Sequence, residues 1–290
     1  MSRIAFIGLG MMGFPMAHLL HAAGHQLLVK DANPSVQENF VATHPGTQTV
    51  GDVNAYENCD VIITMLPNSD IVDRVVHELA LYLKKGACII EMSSADPLRT
   101  RELSIFLQEK GISLIDAPVS GGVKKAVNGT LAIMVGGDLA EFERQKPLLD
   151  VLGKAVTYVG SVGAGHALKA LNNYVSAAAL IATSEAIHIG TAFGIDPATI
   201  VNVINASTGK NNTTENKAHQ FMLNGAFNSG FSLALQAKDV GIAAALGSSM
   251  NLPTELGLKV YAMTATASQT LGPSADHTEL FKFVGEIPTK

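Results

Sequence analysis

Residues 163–173, GAGHALKALNN, place a lysine, Lys169, and an asparagine, Asn173, four positions apart in a stretch rich in alanine and glycine. In a helix, positions i and i+4 share one face. An amine there can take or give a proton. An amide one turn on can hold the amine or a reacting oxygen in line, but cannot itself take the proton at neutral pH. By residue type alone the lysine also reads as one that snorkels from an apolar helix to water. A second candidate is the segment 116–137, DAPVSGGVKKAVNGTLAIMVGG. There Ser120 leads into Gly121 and Gly122 between two strand-like runs. A hydroxyl and backbone amides in a glycine turn form a small concavity suited to an anion. Side chains in place of the glycines would fill it and restrict the turn. Lys124 and Lys125 follow, and by default read as a solvated helix face.

The third candidate is GLGMMG, from Gly8 through Leu9, Gly10, Met11 and Met12 to Gly13. It directly follows the apolar run RIAFI and opens a helical pattern, with another strand-like run beyond, which is the context a dinucleotide-binding G-x-G-x-x-G requires. Gly8 permits the tight turn, Gly10 the approach of a pyrophosphate, and Gly13 close helix–sheet contact. The amides at the helix start receive the anion. Asp31 stands eighteen residues after Gly13, at the end of the second strand. A carboxylate there accepts both ribose hydroxyls of NAD and repels a 2′-phosphate. NAD is therefore the expected coenzyme, with NADP the alternative through the neighbouring Lys30; Asp31 as a turn cap is the structural alternative. The ends of later strands line the same crevice, which adds Met65, Leu66 and Pro67, and further along Ser94. Ser94 has a rival role as cap of the helix opened by Asp96 and Pro97.

These residues need elements to hold them. Strand-like runs at 3–7, 25–30, 60–67, 87–94, 113–119, 130–137 and 155–160 alternate with helical patterns at 11–23, 70–83, 97–111 and 139–151. That alternation predicts a mostly parallel sheet covered on both faces. After Gly160 the pattern changes. From Gly163 one long, alanine-rich helical pattern runs through 168–193, and others follow at about 197, 230–249, 253–271 and 276–287. The chain thus reads as an α/β domain, 1–162, and an all-helical domain, 163–290. Lys169 and Asn173 fall at the start of the long helix, near where a cleft between domains would open. Small residues along that helix suit close helix packing and predict a homodimer or homotetramer through the helical domain.

Composition narrows the classes. Hydrophobic residues are 47% and charged residues 16% of 290, which describes a compact folded chain rather than a disordered one. A net charge of -5 and no basic run longer than Lys124–Lys125 argue against nucleic acid and anionic membranes as partners. Cys59 and Cys88 lack the spacing of a metal site or a disulfide framework and read as core thiols; no metal is expected. Apolar segments are interrupted short of 18 residues, so no membrane span is expected. No signal-peptide pattern opens the chain, and a cytoplasmic location is the expectation.

Taken together these motifs resemble the β-hydroxyacid dehydrogenase family, especially its 3-hydroxyisobutyrate dehydrogenase-like branch. IAFIGLGMMGFPMAHLL is similar to the family's cofactor motif, DAPVSGG with GTLAIMVGG to its substrate motif, GAGHALKALNN to its catalytic motif, and LQAKDVGIA (235–243) to a segment near the cofactor. The resemblance runs over nearly the whole chain. It implies a Rossmann-type domain followed by an all-helical domain, as in 6-phosphogluconate dehydrogenase. It also implies NAD- or NADP-dependent interconversion of a small anionic 3-hydroxy acid and its semialdehyde. Carried over, Lys169 is the catalytic lysine and Asn173 a substrate ligand and orienting group. Ser120, Gly121 and Gly122 bind the substrate carboxylate, Lys238 reaches the nicotinamide side of the cofactor, and Asp239 supports it. GKNNTTENK (209–217) departs from the branch's more aromatic pattern. Asn211, Asn212, Thr213 and Thr214 are expected to face the substrate's distal end and to favour a polar acid. That keeps tartronate semialdehyde reductase, sulfolactaldehyde reductase, threonate dehydrogenase and succinic semialdehyde reductase activities open beside 3-hydroxyisobutyrate dehydrogenase. A non-catalytic NAD-binding protein and an imine reductase are the remote alternatives.

Overall fold

A computed structural model describes residues 2–286; residue 287, the end of the expected 276–287 helix, lies outside them. The first strand, β1 (Arg3–Ile7), shows why the sheet is covered twice. Ile4 and Phe6 point into one apolar core and Ala5 and Ile7 into another, all at most 5% exposed. Strand alternation with both sets apolar leaves no face for water. There follow α1 (Gly13–Ala22), β2 (Gln26–Lys30), α2 (Pro34–Thr43), β3 (Gln48–Thr49), β4 (Val61–Thr64), α3 (Ser69–Leu79), β5 (Cys88–Glu91), α4 (Pro97–Gln108) and β6 (Ser113–Asp116). The strands lie in the order β3-β2-β1-β4-β5-β6, all parallel. This is the doubly wound arrangement that binds dinucleotides at the carboxyl ends of its strands. Cys59 and Cys88 are buried free thiols.

Beyond β6 the sheet, mostly parallel as expected, takes in antiparallel pairs. The single strand expected over 113–119 breaks at Ala117–Pro118, and β7 (Val119–Ser120) follows. After α5 (Gly122–Val127), β8 (Leu131–Gly136) runs antiparallel to both β6 and β7. The proline has no amide to give to a ladder, and the link from β7 to β8 is too short for a parallel crossover. Beyond α6 (Leu139–Leu152), β9 (Gly153–Gly160) pairs parallel with β8. Helix α1 starts at Gly13 rather than Met11, because the glycine loop is still turning there.

Helix α7 (Ala164–Ala192) is followed by α8 (Pro197–Asn205), α9 (Asn212–Asn216), α10 (Leu233–Ser249), α11 (Glu255–Leu271) and α12 (Leu280–Glu286). The chain divides into two compact units between Lys169 and Ala170, within α7 and seven residues past the change of pattern at 162–163. The first turns of α7 belong to the sheet unit because Asp116, at the end of β6, accepts the amides of Gly163 and His166 at 2.7 and 2.8 Å. Gly165 is required there, since a Cβ would stand 2.3 Å from the Met134 carbonyl oxygen. The second unit has its own core of Leu180 and Ile181 from α7, Val201 from α8, Val240 from α10 and Val260 from α11. By length and composition α7 does reach what a membrane crossing needs, contrary to the expectation that every apolar run stops short. Its Ser and Thr interruptions are too mild to lower the average, and it places Ala177, Leu180 and Ile187 in the core as a helix packed within protein does.

Candidate functional site

The glycine loop is built by close approach. A Cβ on Gly8, where φ is +98°, would sit 2.1 Å from the Met65 carbonyl oxygen, and one on Gly13 would sit 1.9 Å from that of Gly8. A Cβ on Gly10, by contrast, would meet only open space, so any side chain there would enter the room above the loop. Helix α1 has no side-chain cap and no acidic residue in its first turn. Its leading amides therefore face that room with positive partial charge. These features fit the pyrophosphate of a dinucleotide. Leu9 turns its side chain into the core and Met11 turns outward. Asp31 accepts the amide of Leu9 at 2.7 Å on one oxygen and that of Asn33 at 2.8 Å on the other. It is thus a loop brace, and each oxygen keeps a lone pair for a further donor. Met65 continues the ladder through its amide to Ile7, and Leu66 donates its amide to the Ser93 hydroxyl at 2.8 Å. Pro67 is exposed and Ser94 half-buried. The cap of α4 that was expected to compete for Ser94 is Asp96, which accepts the amides of Leu98 and Arg99.

Ser120 ends β7, and Gly121 and Gly122 follow with φ of +132° and +69°. Two successive left-handed residues favour glycine. A Cβ on Gly121 would strike the Lys125 side chain at 2.4 Å, whereas one on Gly122 would meet nothing within 4 Å. Lys124 and Lys125 are exposed on α5.

Sequence reasoning passed over the polar core beneath α7. Glu91 ends β5, Asp116 ends β6, and His166 lies in the first turn of α7; all three are at most 1% exposed. His166 Nε2 is 2.7 Å from Glu91 Oε2, an ion-pair approach rather than an aligned hydrogen bond. Its Nδ1 is 2.9 Å from the Thr100 hydroxyl, whose proton goes to the Asp96 carbonyl. Both ring nitrogens therefore face acceptors, which calls for the protonated ring. Burial opposes that charge, but Glu91, followed by Asp116, outweighs it and the His166 pKa is raised. Glu91 also accepts the Ser93 amide at 3.0 Å. One buried charge network thus supports both the strand end that carries Leu66 and the start of the helix that carries Lys169. The available signal was an acidic residue at the end of each of two adjacent apolar strands.

Lys169 is only 9% exposed and Asn173 8%, so neither is a snorkelling surface group. Asn173 Nδ2 donates to Asp239 Oδ2 on α10, and its Oδ1 accepts from Asn172 at 3.1 Å. Asp239 is acceptor-only when ionised, so the amide must turn its nitrogen to Asp239 and keep its oxygen toward other donors. Lys238 Nζ lies 3.3 Å from the other Asp239 oxygen. Asn173, Asp239 and Lys238 therefore form one chain of contacts within the helical unit.

Of the polar residues at 211–214 expected to face the substrate's distal end, three are engaged in local structure and Asn212 is exposed. Asn211 caps α9 through the amides of Thr213 and Thr214, and Thr214 returns a capping-box bond. Asn211 also donates to Thr183, and Thr213 and Thr214 are buried. Local caps consume short polar side chains of this kind before a substrate can.

The fold and these residues define a nicotinamide-dependent oxidoreductase built from a dinucleotide-binding unit and a helical unit. Residues 3–160 match the NAD-binding domain model of 6-phosphogluconate dehydrogenase, and residues 163–284 match the NAD-binding model of NADP-dependent 3-hydroxyisobutyrate dehydrogenase. The chain is 38% identical to 2-(hydroxymethyl)glutarate dehydrogenase of Eubacterium barkeri over 92% of its length and 87% of the relative's. It is 36% identical to 2-hydroxy-3-oxopropionate reductase of Escherichia coli (strain K12), over 96% and 95%. The 3-hydroxyisobutyrate dehydrogenase of Mycobacterium tuberculosis, solved with L-serine, superposes with a TM-score of 0.92 at 31% identity, over 98% of this chain and 99% of that one. The protein belongs to the β-hydroxyacid dehydrogenase family, in its 3-hydroxyisobutyrate dehydrogenase-like branch. It is an NAD(P)-dependent enzyme acting on small hydroxy acids or their semialdehydes.

Proposed function

We propose that the protein interconverts a 3-hydroxy acid and its semialdehyde with NAD as the better coenzyme, and that Lys169 moves the proton. The observation that carries this reading is a nearly buried Lys169 one helical turn before an Asn173 whose amide is oriented by Asp239. The nicotinamide supplies hydride acceptance or donation when bound. In oxidation the neutral amine of Lys169 takes the hydroxyl proton; in reduction its ammonium donates to the aldehyde oxygen. Asn173 aligns the amine with its carbonyl oxygen, or the reacting oxygen with the second proton of its amide nitrogen. Ser120, Gly121 and Gly122 hold the carboxylate, which directs the 3-hydroxyl to the lysine. Gly8 to Gly13 and Met65 to Pro67, with Ser94 further along, cradle the coenzyme, Asp31 accepts from its ribose, and Lys238 lies on its nicotinamide side. We further propose a cytoplasmic homo-oligomer assembled through the helical unit.

A panel of 3-hydroxy acids and semialdehydes, assayed with NAD and NADP, tests the reading. It should include 3-hydroxyisobutyrate, 2-(hydroxymethyl)glutarate, tartronate semialdehyde and L-serine. Turnover of at least one 3-hydroxy acid, faster with NAD, is expected. Absence of turnover with every member would return the chain to a coenzyme-binding role without chemistry.

A further inference from the structure

The end of the departing segment 209–217 carries a group with no role in the chemistry above. Lys217 follows α9 and is half-buried, and its Nζ donates to the Ser176 hydroxyl at 3.3 Å. Ser176 lies on α7 three residues beyond Asn173, about 4.5 Å further along the helix axis. Burial lowers the Lys217 pKa to about 8, against a smaller opposing pull from Asp276. Asp276 does not serve as its partner. Its oxygens accept from Ser229, from the amides of Gly230 and Thr278, and from the Thr278 hydroxyl. Among the described residues no carboxylate reaches Lys217 within ion-pairing distance. A half-buried cation has lost part of its hydration, which a charge-assisted hydrogen bond to a bound anion offsets.

We propose that Lys217, with Ser176, is an anion subsite for a second acidic group of the substrate, a carboxylate or sulfonate, so that the preferred hydroxy acid is a dianion. The proposal rests on the reading of Asn173 as a substrate ligand, because Ser176 stands one turn beyond it on α7. An acidic group a few bonds from the reacting carbon would then meet Ser176 and Lys217 while the alcohol stays near Asn173. The segment 209–217 thus sets specificity through its last residue, while Asn211 and Thr214 form a cap and Thr213 is buried.

Binding of unreactive analogues tests this apart from turnover. The protein with NAD present is titrated calorimetrically with glutarate, 3-sulfopropionate and butyrate. At least one of the two dianions should bind about tenfold or more tighter than butyrate, the loss expected when a charge-assisted hydrogen bond is removed. Lys217→Met should abolish that advantage and leave butyrate unchanged, and Lys217→Arg should retain most of it. Thermal melting of each variant confirms the fold. Which dianion depends more on Lys217 tells carboxylate from sulfonate. If wild-type protein binds all three alike, or Lys217→Met weakens butyrate as much as the dianions, the subsite is overturned even where the substrate panel succeeds. If the panel yields no substrate while the Lys217-dependent preference holds, the assigned reaction fails and the subsite stands.

Discussion

At the scale of the residue, the burial of Lys169 changes how its role must be tested. With 9% of its surface exposed, its methylenes pack in addition to the proton-carrying role proposed for its amine. Truncation to alanine therefore removes both. Lys169→Met keeps the stem and deletes only the proton carrier, so it should lower turnover by the ~10²–10⁴-fold of a positioned acid–base group while leaving NAD affinity near wild type. Lys169→Arg should not rescue, because guanidinium has no accessible neutral form. Turnover numbers with a fluorescence titration of NADH check both; a Lys169→Met enzyme of near-normal turnover would move the search to Lys238. Asp31 calls for a similar refinement. Since it also holds the Leu9 amide, Asp31→Asn should narrow the preference for NAD over NADP while raising the KM of both as the loop loosens. Steady-state kinetics with each coenzyme decide it, and a wild-type preference for NADP would remove the ribose role.

At the scale of the element, the buried pair of Glu91 and His166 makes the β5 end and the α7 start depend on one another. Removing one partner of a buried pair leaves an uncompensated charge, so Glu91→Gln should destabilise the protein by about 3–5 kcal/mol. The pH dependence has a definite sign. The folded-state pKa of His166 is raised above its usual 6.5, so the pair's contribution is complete below about pH 6.5 and fades as pH rises through the folded value. Urea unfolding across that range should show this decline in the wild type and a flatter profile in Glu91→Gln; parallel profiles would show that the histidine is not the titrating group. The network also marks where the sequence stops being readable. β1 is legible because both of its alternating residue sets are apolar, and the glycine loop because strand, turn and helix flank it in order. Asp116 stands in the quoted DAPVSGG yet has no readable role, since its partners, the amides of Gly163 and His166, lie about 50 residues on. The segment 211–214 is hard to read for the opposite reason: its polar types suit a ligand, but Asn211 and Thr214 first cap their own backbone, Thr213 is buried, and Asn212 alone stays exposed.

At the scale of the whole molecule, α7 is shared by both compact units, its first turns tied to Asp116 and its later ones to the helical core. The helical unit also leaves much apolar surface in water. Of the twenty large apolar side chains exposed among the described residues, twelve lie beyond residue 169, in the smaller unit. Ile189 and Phe193 are 70% and 85% exposed and one turn apart, which places them on one face at the end of α7. Scattered single residues would need no explanation, whereas such a pair suits burial against a second copy of the chain. Light scattering should therefore report a dimer or tetramer for the wild type. Ile189→Glu with Phe193→Glu should shift the mass toward monomer, because two carboxylates cannot be desolvated there without partners. Both substitutions lie on exposed positions, so the far-ultraviolet circular dichroism of the variant should match the wild type. A monomeric wild type would exclude assembly through this unit. An unchanged oligomer in the double variant would place the interface on another face, and Leu256 and Leu258 on α11, 60% and 50% exposed, are the next to substitute.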